Sequence, residues 1–221
     1  MIVLLDVEAS GLHATSYPVE VAWCSHDLST GWSSLIRPAP SWDEADWSPA
    51  SESVHGIGRL QAQLAGLPAG DVAARLNVDL RDQVVMTDHP EADSSWLWRL
   101  FVEAKASPAF VLASPLMHSQ AGRSPDELAR IDALDVDTLL TKLAQDASIT
   151  ADHLETVAGE LRDRVGIVPH RALDDCIGHA LDLGAVAAIQ ILSDRGELPA
   201  ARFQGELVQR GRDLLRLQGR R

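Results

Sequence analysis

Two carboxylates stand on alternate positions near the start of the chain, Asp6 and Glu8, directly after the apolar run at residues 2–5. Successive side chains of a β-strand point to opposite faces, so residues two apart share a face. Two acids on one face at the end of a buried strand repel each other, and a bound cation relieves that repulsion. Carboxylate oxygens are hard ligands that favour Mg²⁺ or Mn²⁺. The pair therefore predicts a divalent-metal site that needs further acids to complete it.

A third acid, Asp93, lies about one turn into the helix predicted after an apolar strand at residues 84–86. This position is just above the end of the sheet, on the side where open α/β sheets usually bind ligands. Asp88 is the competing acid of this segment, but its place before Pro90 is typical of a helix N-cap. Asp93 is therefore the candidate for the metal site, and Asp88 is the candidate cap.

A histidine and two acids open a late predicted helix, as His170, Asp174 and Asp175. Helix geometry alone favours Asp174, which is four residues after His170 and so on the same face. Asp175 remains compatible if His170 lies on the loop before the helix, and Pro169 supports a break there. Phosphoryl chemistry at two metal ions uses three or four carboxylates and a group that accepts a proton from water. The three acidic segments together predict such a site.

The elements that must position these residues follow from hydrophobic periodicity and turn signals. Three strands joined by short connections come first and are expected to pair antiparallel, two further strands alternate with helices, and the rest is mostly helical. The predicted strands cover residues 2–6, 17–24, 32–36, 84–86 and 110–112, and the predicted helices include 68–76, 124–133, 136–144, 150–165, 172–193 and 199–218. This order indicates one α/β domain with a mixed sheet over residues 1–221.

Composition is typical of a soluble globular protein, because 46% of the 221 residues are hydrophobic and 23% are charged. The formal net charge of −13 opposes non-specific binding to nucleic acid, but metals invert the charge of a carboxylate site, so a nuclease stays compatible. No apolar run approaches the about 20 residues of a membrane span, and no signal peptide or membrane partner is expected. Cys24 and Cys176 are expected to be small buried residues in a reducing cytoplasm.

Three motifs in this order resemble those of the DEDDh branch of 3′-5′ exonucleases, which includes proofreading subunits and ribonuclease T-like enzymes. The first is D-x-E followed by Ser-Gly-Leu at residues 6–12, the second is Asp93, and the third is H-x-A-x-x-D at residues 170–175. The resemblance spans roughly residues 6 to 175. It implies a ribonuclease H-like fold, with a mixed five-stranded sheet of three antiparallel and then parallel strands flanked by helices. It also selects Asp175 over Asp174.

The resemblance implies a role for each matching residue. The expected ligands of two divalent cations, Mg²⁺ or Mn²⁺, are Asp6, Glu8, Asp93 and Asp175. His170 corresponds to the general base that deprotonates the attacking water. Leu12, just past the first motif, either packs against the terminal base or is an ordinary hydrophobic loop residue. His55 lies in a His-Gly-Ile segment that several relatives carry after the third strand, either as a substrate contact or as a structural turn. Glu20 falls where the family often has a glutamate in the second strand, and no role is assigned to it.

The function implied is hydrolysis of the phosphodiester at the 3′ end of single-stranded DNA or RNA, releasing nucleoside 5′-monophosphates. The second motif departs from the family pattern, because Asp88 and His89 replace its His-Asn start and Ala92 replaces the Phe before Asp93. Two alternatives stay open: a catalytically inactive exonuclease-fold binding module, and a metal-dependent phosphohydrolase of small nucleotides. Relatives of this size are often homodimers, for which the helical C-terminal part offers a face.

Overall fold

A five-stranded mixed sheet forms the centre of the protein, for which a computed structural model describes residues 2–112 and 136–217. The strands are β1 (Val3–Ala9), β2 (Pro18–Ser25), β3 (Gly31–Leu35), β4 (Val84–Met86) and β5 (Val111–Leu112), in the order β3-β2-β1-β4-β5. The first three strands pair antiparallel, and β4 and β5 continue the sheet in parallel with β1. The predicted mixed sheet is confirmed.

Helices cover both faces of this sheet and make up most of the described chain after β5. They are α1 (Pro49–His55), α2 (Arg59–Ala65), α3 (Ala69–Asp79), α4 (Pro90–Glu103), α5 (Val136–Asp146), α6 (Ala151–Val165), α7 (Ala172–Arg195) and α8 (Glu197–Leu217). Thr150 caps α6 by accepting a hydrogen bond from the backbone N–H of His153. The helical C-terminal part is confirmed, and the helix predicted at residues 124–133 lies outside the described residues.

Strand β1 is longer than predicted, and this changes where its acids lie. The sequence placed the end of the strand at residue 6, but pairing with β2 continues through Asp6 opposite Ala22 and Glu8 opposite Glu20. Glu8 therefore lies within the strand rather than after it, and Asp6 lies in its interior rather than at its end. The antiparallel ladder fixes both of their backbones, so the separation of the two side chains is set by the pleat.

The two faces of β1 pack against different layers. Val3, Leu5 and Val7 belong to a core shared with α3 and α4, whereas Leu4 packs into a second core with α6, α7 and α8. Because side chains alternate along a strand, Asp6 and Glu8 lie on the same face as Leu4, which is the face that α7 covers. The alternation thus aims both acids at the helix that carries Asp175.

Helix α7 corrects the expectation that no apolar segment approaches the length of a membrane span. Its 24 residues are long and apolar enough, by length and composition alone, to cross a membrane. Most of its apolar stretch is buried in the protein, where it packs on β1, β2, α6 and α8. A helix enclosed by other elements is apolar on nearly all sides, so its composition is explained by its place in the core.

Both cysteines are buried, as expected, and this makes their reactivity a test of the packing between β2 and α7. Cys24 and Cys176 are 0% exposed, and burial raises the pKa of the Cys176 thiol well above its usual value. Because only an exposed thiolate reacts readily, we expect a disulfide reagent to modify them at least about a hundredfold faster in guanidinium chloride than in buffer. Absorbance of the released thiolate measures both rates, and fast labelling of the native protein would contradict this packing.

Candidate active site

A cavity of about 500 Å³ lies where β1, α4 and α7 meet. Its wall contains five of the acids discussed above together with three histidines, namely Asp6, Glu8, Asp88, Asp93, Asp175, His89, His170 and His179. The acids come from different parts of the chain because parallel pairing sets β4 beside β1, and α7 crosses the same end of the sheet. The structure therefore brings the predicted metal ligands and the predicted base to one opening.

Asp6 is common to two groups of closely spaced carboxylates. One oxygen from each of Asp6, Asp88 and Asp93 lies within 4.8 Å of the others, and the same holds for Asp6, Glu8 and Asp175. Each three-acid group could hold a divalent cation, which would stabilise charge on a reacting phosphate. All donors in both groups are carboxylate oxygens, a set that suits Mg²⁺ or Mn²⁺.

Burial and mutual repulsion govern the charge of these acids. Burial and the nearby charges of Asp93, Glu8, Asp175 and Asp88 raise the pKa of Asp6 well above its usual value. The pKa of Asp93 is also well raised, chiefly by burial, although the hydroxyl of Thr87 donates a hydrogen bond to its carboxylate. Among the described residues, Oδ2 of Asp6 is buried with no hydrogen-bond partner. A carboxylate in this state needs either a proton or a cation, so the site fits divalent metal ions.

The two acids at the start of α7, Asp174 and Asp175, have different surroundings. Asp175 lies in the cavity wall, and burial raises its pKa against the opposing charges of His179 and His170. Asp174 is 3% exposed and accepts a hydrogen bond from the backbone N–H of Val168 at 3.0 Å, so it ties the preceding loop to the helix. Within the part of the chain described, Asp175 and not Asp174 lies in the carboxylate groups.

His170 lies on the loop before α7, at the exposed rim of the cavity. Its backbone has φ +63°, in the left-handed region that residues with a side chain rarely adopt. Helix α7 begins two residues later, which is the loop geometry that the choice of Asp175 requires. The exposed imidazole is thus beside the acids yet open to water.

Asp88 has a different place from the one that the sequence indicated. Helix α4 begins at Pro90, and His89 is its N-cap residue without a side-chain cap, so Asp88 is not the cap. Oδ2 of Asp88 instead lies 3.4 Å from Nε2 of His179 on α7. Burial alone would raise the pKa of Asp88, but the hydrogen bond and charge of His179 outweigh it and lower the pKa.

His179 is the cavity residue that sequence reasoning missed. The contact with Asp88 raises its pKa against the opposing effect of burial. One sequence signal was available, because His179 stands four residues after Asp175 and therefore shares its helix face. Its partner Asp88 is distant in sequence, so the contact itself could not be inferred from spacing.

Leu12 and His55 line a second, smaller cavity of about 200 Å³ that adjoins Glu8. Leu12 is 86% exposed, whereas His55 is 4% exposed. Nδ1 of His55 accepts a hydrogen bond from the backbone N–H of Ile57 at 3.0 Å, so the histidine also builds the turn at the end of α1. Val54 and Trp96 add apolar surface to this cavity. His55 thus both stabilises the turn and lines the cavity.

Comparison with known structures identifies the fold. The chain is similar to E. coli exonuclease I bound to single-stranded DNA in its zinc-bound form (TM-score 0.53, 13% identity, 91% of this chain and 42% of that one). Similar values relate it to exonuclease I with a 5cy-dT13 oligonucleotide (0.53, 13%, 92% and 41%) and to the metal-free DNA complex (0.51, 12%, 92% and 41%). The architecture is that of the ribonuclease H-like exonucleases.

The similarity covers nearly the whole of this chain but only part of its neighbours. The chain spans about two fifths of the length of these exonuclease I chains. No protein-family model matches the sequence, and neither does any curated protein. At this level of identity the comparison defines the fold, and the chemistry has to be argued from the site itself.

Replacing Asp6 by Asn is expected to stabilise the metal-free protein at neutral pH, because one of several repelling charges is removed without a change of shape. Folding raises the pKa of Asp6, so its carboxyl favours the folded state while protonated, and that contribution is lost as the pH rises through the raised pKa. The stability of Asp6→Asn relative to wild type should therefore grow from about pH 4 to neutrality, by at least about 1 kcal/mol, or about 3 °C in Tm.

Thermal unfolding in EDTA at a series of pH values measures this difference. Asp163→Asn is the matched control, since Asp163 is an exposed acid on α6 outside the cavity wall. An Asp6→Asn protein that is no more stable than wild type at neutral pH would contradict the repulsion.

Proposed function

We propose that this chain is a metal-dependent 3′-5′ exonuclease of the DEDDh type that acts on single-stranded DNA or RNA. The observation that carries the proposal is the meeting of Asp6, Glu8, Asp93 and Asp175 in one cavity with His170 at its rim. The exonuclease fold supports it, as does the single-stranded DNA in the exonuclease I structures to which the chain is similar. The open cavity, at the end of the sheet, suits an extended strand rather than a closed duplex.

The four acids are proposed to hold two divalent cations, with Asp6 shared between them. Such cations lower the pKa of a coordinated water and neutralise charge on the scissile phosphate and the leaving oxygen. The chain's part is to set the carboxylates in place before the substrate arrives, which the β1–β2 ladder and α7 do. Preorganised charge of this kind supplies most of the rate enhancement in phosphoryl transfer.

His170 is proposed as the group that accepts the proton of the attacking water. It stands at the solvent side of the cavity, so the proton can pass on to bulk water. Its loop precedes the helix that carries Asp175, and the two side chains therefore act on neighbouring parts of the same reaction centre. A base must lie within hydrogen-bond reach of the proton it removes, and the rim position allows this.

The smaller cavity is proposed to hold the terminal nucleotide. Leu12 lies where it can contact the face of the last base, and His55, Val54 and Trp96 surround the space behind it. These walls are mostly apolar, so they favour stacking and not the reading of base edges, in keeping with an enzyme that removes any terminal nucleotide.

Oligonucleotide degradation tests the proposal directly. The protein is incubated with 5′-labelled single-stranded DNA and RNA and with Mg²⁺ or Mn²⁺, and products are resolved at single-nucleotide steps. We expect a ladder that shortens from the 3′ end, releases nucleoside 5′-monophosphates and stops in EDTA. Asp175→Asn should lower the rate at least about a hundredfold, because it removes a charge from the metal site. Asp163→Asn is the matched control, with the rate within about threefold of wild type, because Asp163 is an exposed acid on α6 outside the cavity wall.

The same assay separates the rival functions. Hydrolysis of mononucleotides in preference to oligonucleotides would indicate a phosphohydrolase of small nucleotides. No metal-dependent loss of 3′ nucleotides from either polymer would refute the exonuclease, and calorimetry with Mn²⁺ would then identify an inactive binding module by the lack of two tight sites.

Replacing Leu12 by Ala is expected to weaken substrate binding more than turnover. Covering the exposed Leu12 side chain with a base removes apolar surface from water and contributes up to about 1.5–3 kcal/mol, so KM should rise about tenfold while kcat changes little. Leu198→Ala is the control, because Leu198 is 85% exposed, much like Leu12, but lies on α8 outside the cavity. Steady-state kinetics on a short oligonucleotide measures both constants. An unchanged KM would remove Leu12 from the substrate site.

A further inference from the structure

Glu20 is a buried carboxylate on β2 that binds the start of α7 at three points. Its Oε1 accepts from Nη2 of Arg171 at 3.0 Å, and its Oε2 accepts from Nε of Arg171 at 3.1 Å. Oε2 also accepts from the backbone N–H of Ala172 at 3.2 Å. The side chain of Glu20 is 1% exposed and that of Arg171 is 26% exposed. A forked pair of this kind fixes orientation as well as distance.

Glu20, Arg171 and the backbone N–H of Ala172 together are called the clamp. The clamp lies beside the proposed metal site. Glu20 lies directly opposite Glu8 in the β1–β2 ladder, so the two carboxylates are close neighbours in the sheet. Burial lowers the pKa of Arg171 against the opposing charges of Asp174 and Glu8. The clamp therefore neutralises Glu20 beside a residue of the proposed metal site.

The clamp also adjoins His170, the loop residue with a strained backbone. His170 precedes Arg171 and has φ +63°, a conformation that persists only where the surroundings hold it. On the other side, Asp175 lies in the first turn of α7, whose first backbone N–H is bound by Glu20. One buried carboxylate thus holds Arg171, which follows the proposed base, and Ala172, which begins the helix with the proposed metal ligand.

Stability alone gives a weak reason for such a pair. Burying a carboxylate and a guanidinium is costly, and apolar residues of similar size often stabilise a protein as well or better. A bidentate pair also fixes the orientation of Arg171 and its neighbours relative to β2, which apolar packing does not do.

We propose that Glu20 is a positioning residue: through Arg171 and the first turn of α7 it sets His170 against the carboxylates of the cavity. This inference rests on the proposed exonuclease function. Glu20 touches neither substrate nor cation in this account, so its replacement should slow turnover while substrate binding and metal binding persist.

The test compares Glu20→Gln and Arg171→Lys with wild type and with the double variant. Glutamine keeps the shape of Glu20 but loses one acceptor, and lysine keeps the charge of Arg171 but loses the fork. We expect each single change to lower kcat at least about tenfold with KM within about twofold. The double variant should be no slower than the slower single variant, because both changes break the same clamp. Mn²⁺ binding by calorimetry should persist in all three.

Leu76→Ala is the control for loss of stability, since Leu76 is a fully buried core residue on α3, away from the cavity. Its Tm is compared with those of the clamp variants. If kcat of the clamp variants falls no more than that of Leu76→Ala at a similar loss of Tm, the positioning role is overturned. Arg171→Lys gives the answer if Glu20→Gln does not fold, because lysine keeps a charge beside Glu20.

Hydrogen–deuterium exchange separates this inference from the proposed function. Exchange at residues 167–175 should quicken in Arg171→Lys, whereas exchange in α3 should not change. An inactive wild-type protein would overturn the exonuclease, and exchange would still decide on the clamp. Unchanged exchange at residues 167–175 overturns the clamp whatever the activity, and faster exchange with an unchanged kcat in an active protein overturns its positioning role.

Discussion

Electrostatic repulsion among the carboxylates gathered around Asp6 is the constraint on which the rest of this structure depends. Asp6 belongs to both three-acid groups, and one of its oxygens is buried without a hydrogen-bond partner among the described residues. Three parts of the secondary structure hold the acids in place: the ladder between β1 and β2, the start of α4 and the start of α7. Helix α4 packs in one hydrophobic core and α7 in the other, and β1 contributes to both, so the repulsion is not relieved by movement of the acids.

The surroundings of the acids are largely neutralised by basic partners. Asp88 contacts His179, and Glu20 is bound by Arg171. Farther along α7, Asp182 forms an ion pair with Arg162 at 2.7 Å. Asp88, Glu20 and Asp182 thus have basic partners, whereas Oδ2 of Asp6 is buried with no hydrogen-bond partner among the described residues. A strongly acidic chain can in this way present one compact site for cations without depending on its overall charge.

The sequence predicted the features that depend on residues close together in the chain. It did not predict the contacts between residues far apart in the chain. Alternation along β1 predicted that Asp6 and Glu8 share a face, and Pro169 correctly indicated a loop before α7. The end of β1 was predicted too early because the extension depends on pairing with β2, which is a tertiary interaction. Asp88 was interpreted as a cap for the same reason, since its partner His179 is 91 residues away and no periodicity links the two. The contact between Glu20 and Arg171 spans 151 residues and is equally invisible to local patterns.

The separation of the acids along the chain has a consequence for protein synthesis. Asp6, Glu8 and Asp93 are translated well before Asp175, and α7 must dock on β2 before the clamp and the second carboxylate group exist. Contacts of such sequence separation form late, since the loops they close are long. A ribosome-bound chain that ends before residue 172 therefore has a sheet with acids but no complete site. If the proposed function is right, the growing chain gains a complete catalytic site only once α7 has been synthesised and has docked on β1 and β2.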